Sequence, residues 1–331
     1  MVKNLIERVL KTTRNYEMLQ PKDRVLAAVS GGPDSIFLLH ALIALKGKLK
    51  LGDLSVCNLD HGLRGAESKA DSLFVKGVAE RFKMTFIHKR VDLKRIKSKK
   101  LSVEEVAREE RYKFFNAAAK KVNANIIATG HTLDDQAETI LMRLIKGTSL
   151  KGMVGISPVR EESGLKIMRP LLELEKEEIK EYLDEKHIEY RIDRTNLEPV
   201  YFRNVVRSDI IPFLERYNPR LKRVLSNLAE HLREDFKFIE EERSRAKRHI
   251  SCQEGRVELS LKDIVIQPKA IQKEILRDAL EMAGGELKRL SFRHWKEMEH
   301  LIGHKRKGNS IDLPGGIRIT RTDKALAFSQ L

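Results

Sequence analysis

Short apolar runs alternate with longer segments of helical pattern through the first two-thirds of the chain. The candidate strands occupy residues 25–29, 54–59, 85–88 and 125–128. Because a helical stretch of a dozen or more residues separates successive runs, these strands must lie parallel and be joined by right-handed crossovers. The alternation therefore predicts an α/β fold with a doubly wound parallel sheet, whose ligands bind beyond the carboxyl ends of the strands.

The pattern changes after Pro212. Residues 217–220 are typical of a linker, and apolar residues then recur at the spacing of one helix face, at Leu221, Val224, Leu225, Leu228 and Leu232. Further helices are predicted over 269–283 and 291–302, and the Pro-Gly-Gly at 314–316 predicts a small hairpin. A chain of 331 residues has room for two domains. We predict one over 1–215 and a smaller, mainly helical one over 217–331.

Charge narrows the class of partner. The chain has 64 Lys and Arg against 48 Asp and Glu, a formal net charge of +16, which favours a polyanion such as nucleic acid or an acidic membrane surface. The longest apolar run, 35–45, is shorter than the roughly 20 residues that cross a bilayer, and the N-terminus lacks the apolar block of a secretory signal. We therefore expect a cytoplasmic protein that does not span the membrane. Two distant cysteines, Cys57 and Cys252, argue against disulfide, zinc and iron–sulfur sites.

A glycine-rich turn follows the first predicted strand. Its sequence is Ser30-Gly31-Gly32-Pro33-Asp34-Ser35, and a helix follows. Glycines let the backbone approach an anion, hydroxyls donate hydrogen bonds, and N–H groups at a helix start attract negative charge. The turn contains no lysine, and Asp34 would need a bridging cation, for which Mg²⁺ is the best candidate. The alternative is an ordinary turn in which Ser30 caps the helix.

Three acids stand together after the fourth predicted strand. Thr132 and Asp135 predict a capped helix start, with Leu133, Ala137, Ile140, Leu141 and Leu144 as its buried stripe. Asp134, Asp135 and Glu138 are then neighbours, and their mutual repulsion favours a bound cation, either Mg²⁺ or a substrate ammonium. Acids at a helix N-terminus also have a purely structural explanation, which stays open.

Cationic side chains complete the candidates. His61 and Arg64 lie just beyond the second predicted strand, where they would face the ligand crevice; a solvated loop is the alternative. Arg203 and Arg207 are four residues apart, so one helix face can present both guanidiniums to phosphates, unless it is simply a basic surface.

Several motifs resemble known families. The 30–35 turn resembles the PP-loop of the N-type ATP pyrophosphatases, which split ATP into AMP and pyrophosphate. The segments Asn58-Leu-Asp-His-Gly-Leu-Arg64 and Thr129-Gly-His-Thr-Leu-Asp-Asp-Gln-Ala-Glu-Thr139 resemble the tRNA(Ile)-lysidine synthetase family. Residues 169–172, 193–196 and 203–207 agree with that resemblance, which covers about the first 215 residues.

The resemblance implies an activity, substrates and site residues. It implies a ligase that uses ATP and Mg²⁺ to join lysine to the wobble cytidine of the CAU-anticodon isoleucine tRNA, through an adenylated cytidine. Residues 1–215 would form the catalytic domain and 217–331 a tRNA-binding domain, without the further domain of longer members. It also implies a nucleotide contact for Arg111, and oligomeric state is left open, with a homodimer as one possibility. The expected roles are catalytic for Asp34, His61, Arg64, His131, Asp135, Glu138, Arg203 and Arg207; nucleotide-binding for Ser30, Gly31, Gly32, Pro33, Asp34, Ser35 and Arg111; and metal-binding for Asp34 and Asp135.

Other functions remain open at this point. A tRNA thiolase of the same superfamily is disfavoured because such enzymes typically depend on paired cysteines. A small-molecule amidating synthetase fits the turn but not the charge of +16. A catalytically inactive RNA-binding module is the third alternative. Basic runs at 89–100 and 305–307 are candidate contacts to an RNA backbone.

Overall fold

The structure is a computed structural model that describes residues 4–60, 62, 66–91, 103–162, 164–192, 202–247, 250–253, 256–285, 287–303 and 308–331. The chain divides into two compact units, Met1–Glu230 and His231–Leu331. The division falls inside one long helix, Leu221–Ala246, and the predicted boundary near 216 stays a prediction. Among the described residues, no helix is both long and apolar enough to span a membrane.

The first unit is built on a six-stranded sheet in the order β3-β2-β1-β4-β6-β5. Five of its strands are parallel, and only β5 runs antiparallel, against β6. The strands are β1 (Val25–Ala28), β2 (Leu54–Asp60), β3 (Phe86–Arg90), β4 (Ile126–Ala128), β5 (Val159–Glu162) and β6 (Leu165–Met168). The predicted doubly wound sheet is confirmed, and the four predicted strands match the first four within two residues at each end.

Helices cover both faces of this sheet. They are α1 (Leu5–Asn15), α2 (Pro33–Leu45), α3 (Ala66–Arg81), α4 (Val103–Lys121), α5 (Leu133–Lys146), α6 (Leu150–Met153), α7 (Lys176–Glu185), α8 (Phe202–Val205), a π-helical turn (Val206–Ile210) and α9 (Ile211–Glu215). Alternate residues of β1 separate the two layers: Val25 and Ala27 belong to the core under α2, and Leu26 belongs to the core under α4. This alternation follows from the two-residue period of a strand.

The second unit pairs helices with an antiparallel sheet. Its strands are ordered β7-β8-β11-β10-β9, and α11, α12 and α13 pack on them around one apolar core. The elements are α10 (Leu221–Ala246), which the two units share, β7 (Ile250–Gln253), β8 (Arg256–Ser260), α11 (Leu261–Val265), α12 (Lys269–Met282), α13 (Phe292–Gly303), β9 (Ser310–Leu313), β10 (Ile317–Arg321) and β11 (Ala325–Gln330). The predicted helices and the Pro-Gly-Gly hairpin are confirmed, and that hairpin belongs to a sheet of five strands.

Two predicted apolar faces are only partly correct. The α5 stripe buries Leu133, Ala137, Ile140 and Leu141, but Leu144 is 57% exposed near the end of the helix. In α10, Val224 and Leu228 are exposed, so the predicted face of that helix is not fully covered.

Candidate active site

The turn after β1 and the turn after β4 meet at the centre of the first unit's sheet. Strand β1 pairs with β2 on one side and with β4 on the other, so the chain order reverses between β1 and β4. Such a switch point leaves a crevice at the carboxyl ends of the strands. A cavity of about 670 Å³ lies here, and its walls include Ser30, Gly32, Pro33, Asp34, Ser35, Asp71, Arg111, Gly130, His131, Asp135, Lys176, Lys180, Tyr190, Arg191, Ile192, Arg203 and Arg207.

The 30–35 turn is held by its own hydroxyl groups. Ser35 Oγ accepts hydrogen bonds from the backbone N–H of Ser30 at 3.1 Å and of Gly31 at 3.2 Å, and donates to the Gly32 carbonyl at 2.9 Å. Gly31 has φ +99°, a left-handed conformation that glycine adopts without strain. Gly32 is the N-cap of α2 and Pro33 follows at its first position. The ordinary-turn alternative requires Ser30 to cap this helix, and Ser30 does not.

Gly130 lets the second turn pack directly on the first. A Cβ at this position would lie 3.1 Å from the Asp34 carbonyl oxygen and 3.3 Å from the Ser35 nitrogen. Backbone atoms cannot move aside as a flexible side chain can, so a larger residue here would push the two turns apart. The close approach brings His131 to the same cavity as Asp34.

Asp34 is a carboxylate in need of a cation. Its Oδ1 is buried and has no hydrogen-bond partner among the described residues. Burial raises the pKa of Asp34 to about 7; the charge of Lys176 opposes the rise, and those of Asp135 and Asp134 add to it. A buried carboxylate without a partner is costly unless a ligand neutralises it. Asp34 therefore fits a magnesium ion.

Asp135 both caps its helix and binds two cations. Its Oδ2 accepts from the backbone N–H of Thr132 at 2.9 Å, and Thr132 Oγ1 accepts from the Asp135 N–H, so the predicted capping box is confirmed. Its Oδ1 accepts from Lys176 Nζ at 2.9 Å and from Arg203 Nη2 at 3.0 Å. Burial by itself raises the pKa of Asp135, but Lys176, Arg203 and His131 hold it well below its usual range.

Glu138 is buried beneath two arginines, Arg203 and Arg207. Its side chain is 1% exposed and accepts from Arg203 Nε at 2.6 Å and from Arg207 Nε and Nη2 at 2.6 and 3.1 Å. Both guanidiniums are about one-third exposed and line the cavity. Glu138 thus holds Arg203 and Arg207 in place from below, while Asp135 itself reaches the cavity wall.

The third acid, Asp134, ties neighbouring helices to the site. Its Oδ1 accepts from Lys222 Nζ at 2.9 Å, and its Oδ2 accepts from the backbone N–H of Lys176 at 2.8 Å. The three crowded carboxylates of α5 are therefore neutralised by side chains of the protein itself. The predicted need for cations is met in this structure by lysines and arginines.

His131 is a neutral imidazole at the cavity wall. Burial lowers its pKa to about 4, with Arg169, Arg203 and Arg111 adding to the effect and Asp135 opposing it. Its Nδ1 lies 2.9 Å from Thr129 Oγ1. This contact orients the ring, so that the other ring nitrogen, Nε2, can hydrogen-bond a ligand.

Most predicted site residues meet at this cavity. Arg111, on α4, lines it, and the neighbouring Glu110 pairs with Lys113 at 2.8 Å. Gly31 lies in the turn, where its carbonyl accepts from the Arg191 N–H at 2.9 Å. His61, Arg64 and the segment 193–196 lie outside the described residues, so their predicted roles stay predictions.

Sequence reasoning missed several residues of the cavity wall. Lys176 and Lys180 come from the first turns of α7, and Tyr190 and Arg191 from the segment after it. The signal available for them was the Arg169-Pro-Leu-Leu172 motif just before α7. The cavity is therefore lined by more cations than acids, which suits a polyanionic ligand such as ATP. The six cations are Arg111, Lys176, Lys180, Arg191, Arg203 and Arg207, and the three acids are Asp34, Asp71 and Asp135.

The donor set for a metal is small. Among the described residues, no group of three or more His, Cys, Asp or Glu is placed to hold an ion. Magnesium bound to a nucleotide needs only one or two carboxylates, because phosphates and waters supply the other ligands. Asp34 fits that requirement, whereas Oδ1 of Asp135 already accepts from Lys176 and Arg203.

Comparisons with known proteins agree with this architecture. Residues 1–214 match the family model of the PP-loop domain, and residues 259–325 match that of the TilS substrate binding domain. Two similar curated proteins are the tRNA(Ile)-lysidine synthases of Clostridioides difficile strain 630 and Geobacter sulfurreducens. They are 34% and 35% identical over 98% of this chain, which spans 70% of the length of each.

A solved structure supports the fold. The U34-tRNA thiolase NcsA from Methanococcus maripaludis, with its [4Fe-4S] cluster, aligns with a TM-score of 0.57 at 19% identity, over 70% of this chain and 78% of the thiolase. At this identity the likeness concerns the fold alone. The sequence matches over 98% of this chain, the two family models and the cavity at the switch point lead to one conclusion: the chain belongs to the tRNA(Ile)-lysidine synthase family.

Proposed function

We infer that this protein is an ATP-dependent ligase that joins lysine to the wobble cytidine of the CAU-anticodon isoleucine tRNA. The observation that carries the inference is the membership of nearly the whole chain in the lysidine synthase family, with the family's PP-loop at the cavity. In the first step the cytidine C2 oxygen bonds to the α-phosphorus of ATP and pyrophosphate leaves. In the second step the lysine ε-nitrogen bonds to C2, the C2–O bond breaks, AMP leaves, and the amine loses a proton.

The 30–35 turn and the cavity's cations bind the phosphates. The Ser35-stabilised turn offers backbone N–H groups at the start of α2, where the helix dipole attracts anions. Arg203 and Arg207 project into the cavity from a buried carboxylate, Glu138. They are therefore oriented before a ligand arrives, and oriented cations stabilise developing charge without reorganising.

Magnesium belongs to this proposal through Asp34. Its unpartnered Oδ1 would hold the ion, which supplies positive charge to the phosphate oxygens when it is bound. The second predicted ligand, Asp135, stays a prediction. Asp34→Asn and Asp135→Asn should both abolish adenylate formation with tRNA binding kept. Normal adenylation in Asp135→Asn would remove Asp135 from the metal site.

The substrate amine needs an acid that it can reach. Of the two acids predicted for this role, Asp135 lines the cavity, whereas Glu138 is buried beneath Arg203 and Arg207 and does not line it. We therefore assign the lysine ammonium to Asp135 and a positioning role to Glu138. Weaker binding of lysine to Asp135→Asn, measured by calorimetry, would support the assignment; an unchanged affinity contradicts it.

The RNA is attracted by charge. Lys89 and Arg90 are exposed near the end of β3, and the net charge of +16 favours a long polyanion. The basic runs at 92–100 and 305–307 lie outside the described residues. We propose that the region 217–331 contributes to tRNA binding, because it contains the match to the substrate binding domain. Affinity for tRNA should then fall steeply with salt concentration.

One experiment tests the function. The purified full chain receives ATP, magnesium, labelled lysine and the CAU-anticodon tRNA, and a second reaction contains the same tRNA with wobble uridine. Label in the first RNA alone, with AMP and pyrophosphate as products, supports the proposal. ADP and phosphate as products contradict it, and pyrophosphate release without tRNA favours a small-molecule synthetase instead.

The compartment and the assembly state are proposals as well. We place the reaction in the cytoplasm, where tRNA and ATP are available. A homodimer is the proposed assembly, supported by the exposed rings of Phe213 and Tyr217, which lie 5.6 Å apart on the surface of the first unit. Sedimentation velocity of the full chain measures it directly, and a single monomeric species contradicts it.

A further inference from the structure

The phosphate-binding turn has no lysine of its own, but a lysine from a distant part of the chain, Lys176, lies at the same cavity. Loops of the GxxxxGK[ST] type use their own lysine on the outer phosphates of a nucleotide, and the 30–35 turn has none. Lys176 lies more than 140 positions later in the chain, yet it lines the same cavity wall as Ser30, Gly32 and Asp34. The fold therefore brings to this turn a cation that the local sequence lacks.

The place of Lys176 on its helix is unusual. It is the first residue of α7, where the helix dipole favours acids and disfavours cations. Its backbone N–H donates to Asp134 Oδ2, which fixes the start of α7 against the start of α5. The main chain of Lys176 is thus anchored, and its side chain extends on a flexible stem toward Asp135 and the turn.

The ammonium of Lys176 holds the carboxylate that we assign to the substrate amine. Nζ lies 2.9 Å from Asp135 Oδ1 and the side chain is 23% exposed. A bound lysine substrate would offer the same chemical group, an ammonium on an alkyl chain, to the same oxygen. This oxygen already accepts from both Lys176 and Arg203, and both would repel a third cation there, so Lys176 must leave Asp135 before the substrate amine can take its place.

Outer phosphates give Lys176 a better partner. A β- or γ-phosphate in the turn carries more negative charge than one carboxylate that Arg203 already shares. Asp34 of the turn lines the same cavity as Lys176 and Asp135. The ammonium therefore has its present partner and the phosphate-binding turn within one cavity.

We propose that Lys176 supplies the cation missing from the 30–35 turn, and that its exchange from Asp135 to the outer phosphates of ATP opens the amine site. The proposal rests on the proposed function, since it assumes ATP in the turn and lysine at Asp135. It predicts that the two ligands are coupled: ATP increases the affinity for lysine, and lysine increases the affinity for ATP by the same factor.

Calorimetry on the full chain tests this coupling. Lysine is titrated with magnesium present, with and without α,β-methylene-ATP, an analogue that cannot be cleaved between its α- and β-phosphates. In the wild type the analogue should raise lysine affinity by about fivefold or more. In Lys176→Met the analogue should bind about tenfold more weakly, and lysine affinity should change by less than about twofold when it is added.

Controls separate this role from a structural one. Lys186→Met removes an exposed cation just after the end of α7 and should leave both affinities and the coupling unchanged. Lys176→Arg keeps a cation at the site and should retain the coupling. A purely structural Lys176 would alter stability alone, with analogue affinity and coupling as in the wild type.

The outcomes that overturn the proposal are distinct from a failure of the proposed function. If lysine affinity in the wild type is the same with and without the analogue, Lys176 does not couple the sites. If Lys176→Met binds the analogue as the wild type does, it does not contact the phosphates. The first of these measurements uses the wild type alone, so the proposal can be refuted even if Lys176→Met misfolds. AMP formation by the wild type, measured separately, decides the proposed function.

Discussion

Glu138→Gln should weaken the packing of α5 against the helical segments that carry Arg203 and Arg207. The buried carboxylate accepts three hydrogen bonds from Arg203 and Arg207. A glutamine keeps the shape but loses the charge, and its amide N–H atoms would face N–H donors. Hydrogen bonds to charged groups contribute about 1.5–3 kcal/mol each. The guanidiniums are 38% and 35% exposed, so solvent screening reduces the expected total to about 2 kcal/mol.

Hydrogen exchange measures this loss where it occurs. A loss of about 2 kcal/mol corresponds to an approximately 30-fold increase in amide exchange, expected in peptides that cover residues 133–146 and 202–215. Glu185→Gln is the matched control: the side chain is 51% exposed and pairs with Lys186 at 3.9 Å. Its effect should stay below about 0.5 kcal/mol. Exchange in Glu138→Gln within about threefold of the wild type would refute the argument.

Three further predictions follow from the turn, the imidazole and the thiols. Gly130→Ala should destabilise the first unit by about 1–3 kcal/mol and weaken ATP binding, measured by thermal unfolding and calorimetry, whereas Gly77→Ala, with open space around its Cβ, should not. His131 stays neutral in the folded chain down to its pKa of about 4, while the unfolded chain takes up a proton below about 6.5. Stability should therefore fall by up to about 3 kcal/mol as pH falls from 6.5 to 4, and denaturation of His131→Asn should show a smaller fall. Cys57 is buried and its pKa is raised, whereas Cys252 is exposed, so a thiol reagent should label Cys252 alone until the chain unfolds.

The sheet could be predicted because its signals are local. Strands β1, β2 and β4 are mostly apolar runs and β3 begins with one, and the helices between the four strands force parallel pairing. Strand β5 was not predicted because three of its four residues are charged, and β6 was not predicted because Lys166 interrupts its short apolar run. The antiparallel sheet of the second unit was foreseen only as a hairpin, because β7 and β8 are short and partly polar.

The site could be predicted where one segment carries the chemistry. The turn after β1 and the acids of α5 were identified because glycines, hydroxyls and carboxylates stand next to one another in sequence. Which ion neutralises the acids was not predictable: Lys176 reaches Asp135 across 41 positions and Arg203 across 68. Glu138 lies outside the predicted buried stripe of α5, yet it is buried because two guanidiniums cover it.

The pairing of β1 with both β2 and β4 has a consequence for synthesis on the ribosome. Val25 is registered with Ile126, so closing this pair must await about a hundred further residues. A nascent chain that has emerged only as far as β3 has the glycine turn but not the residues after β4 that complete the cavity. Nucleotide binding at this cavity therefore cannot begin before the acids of α5 and the arginines near 205 have left the exit tunnel.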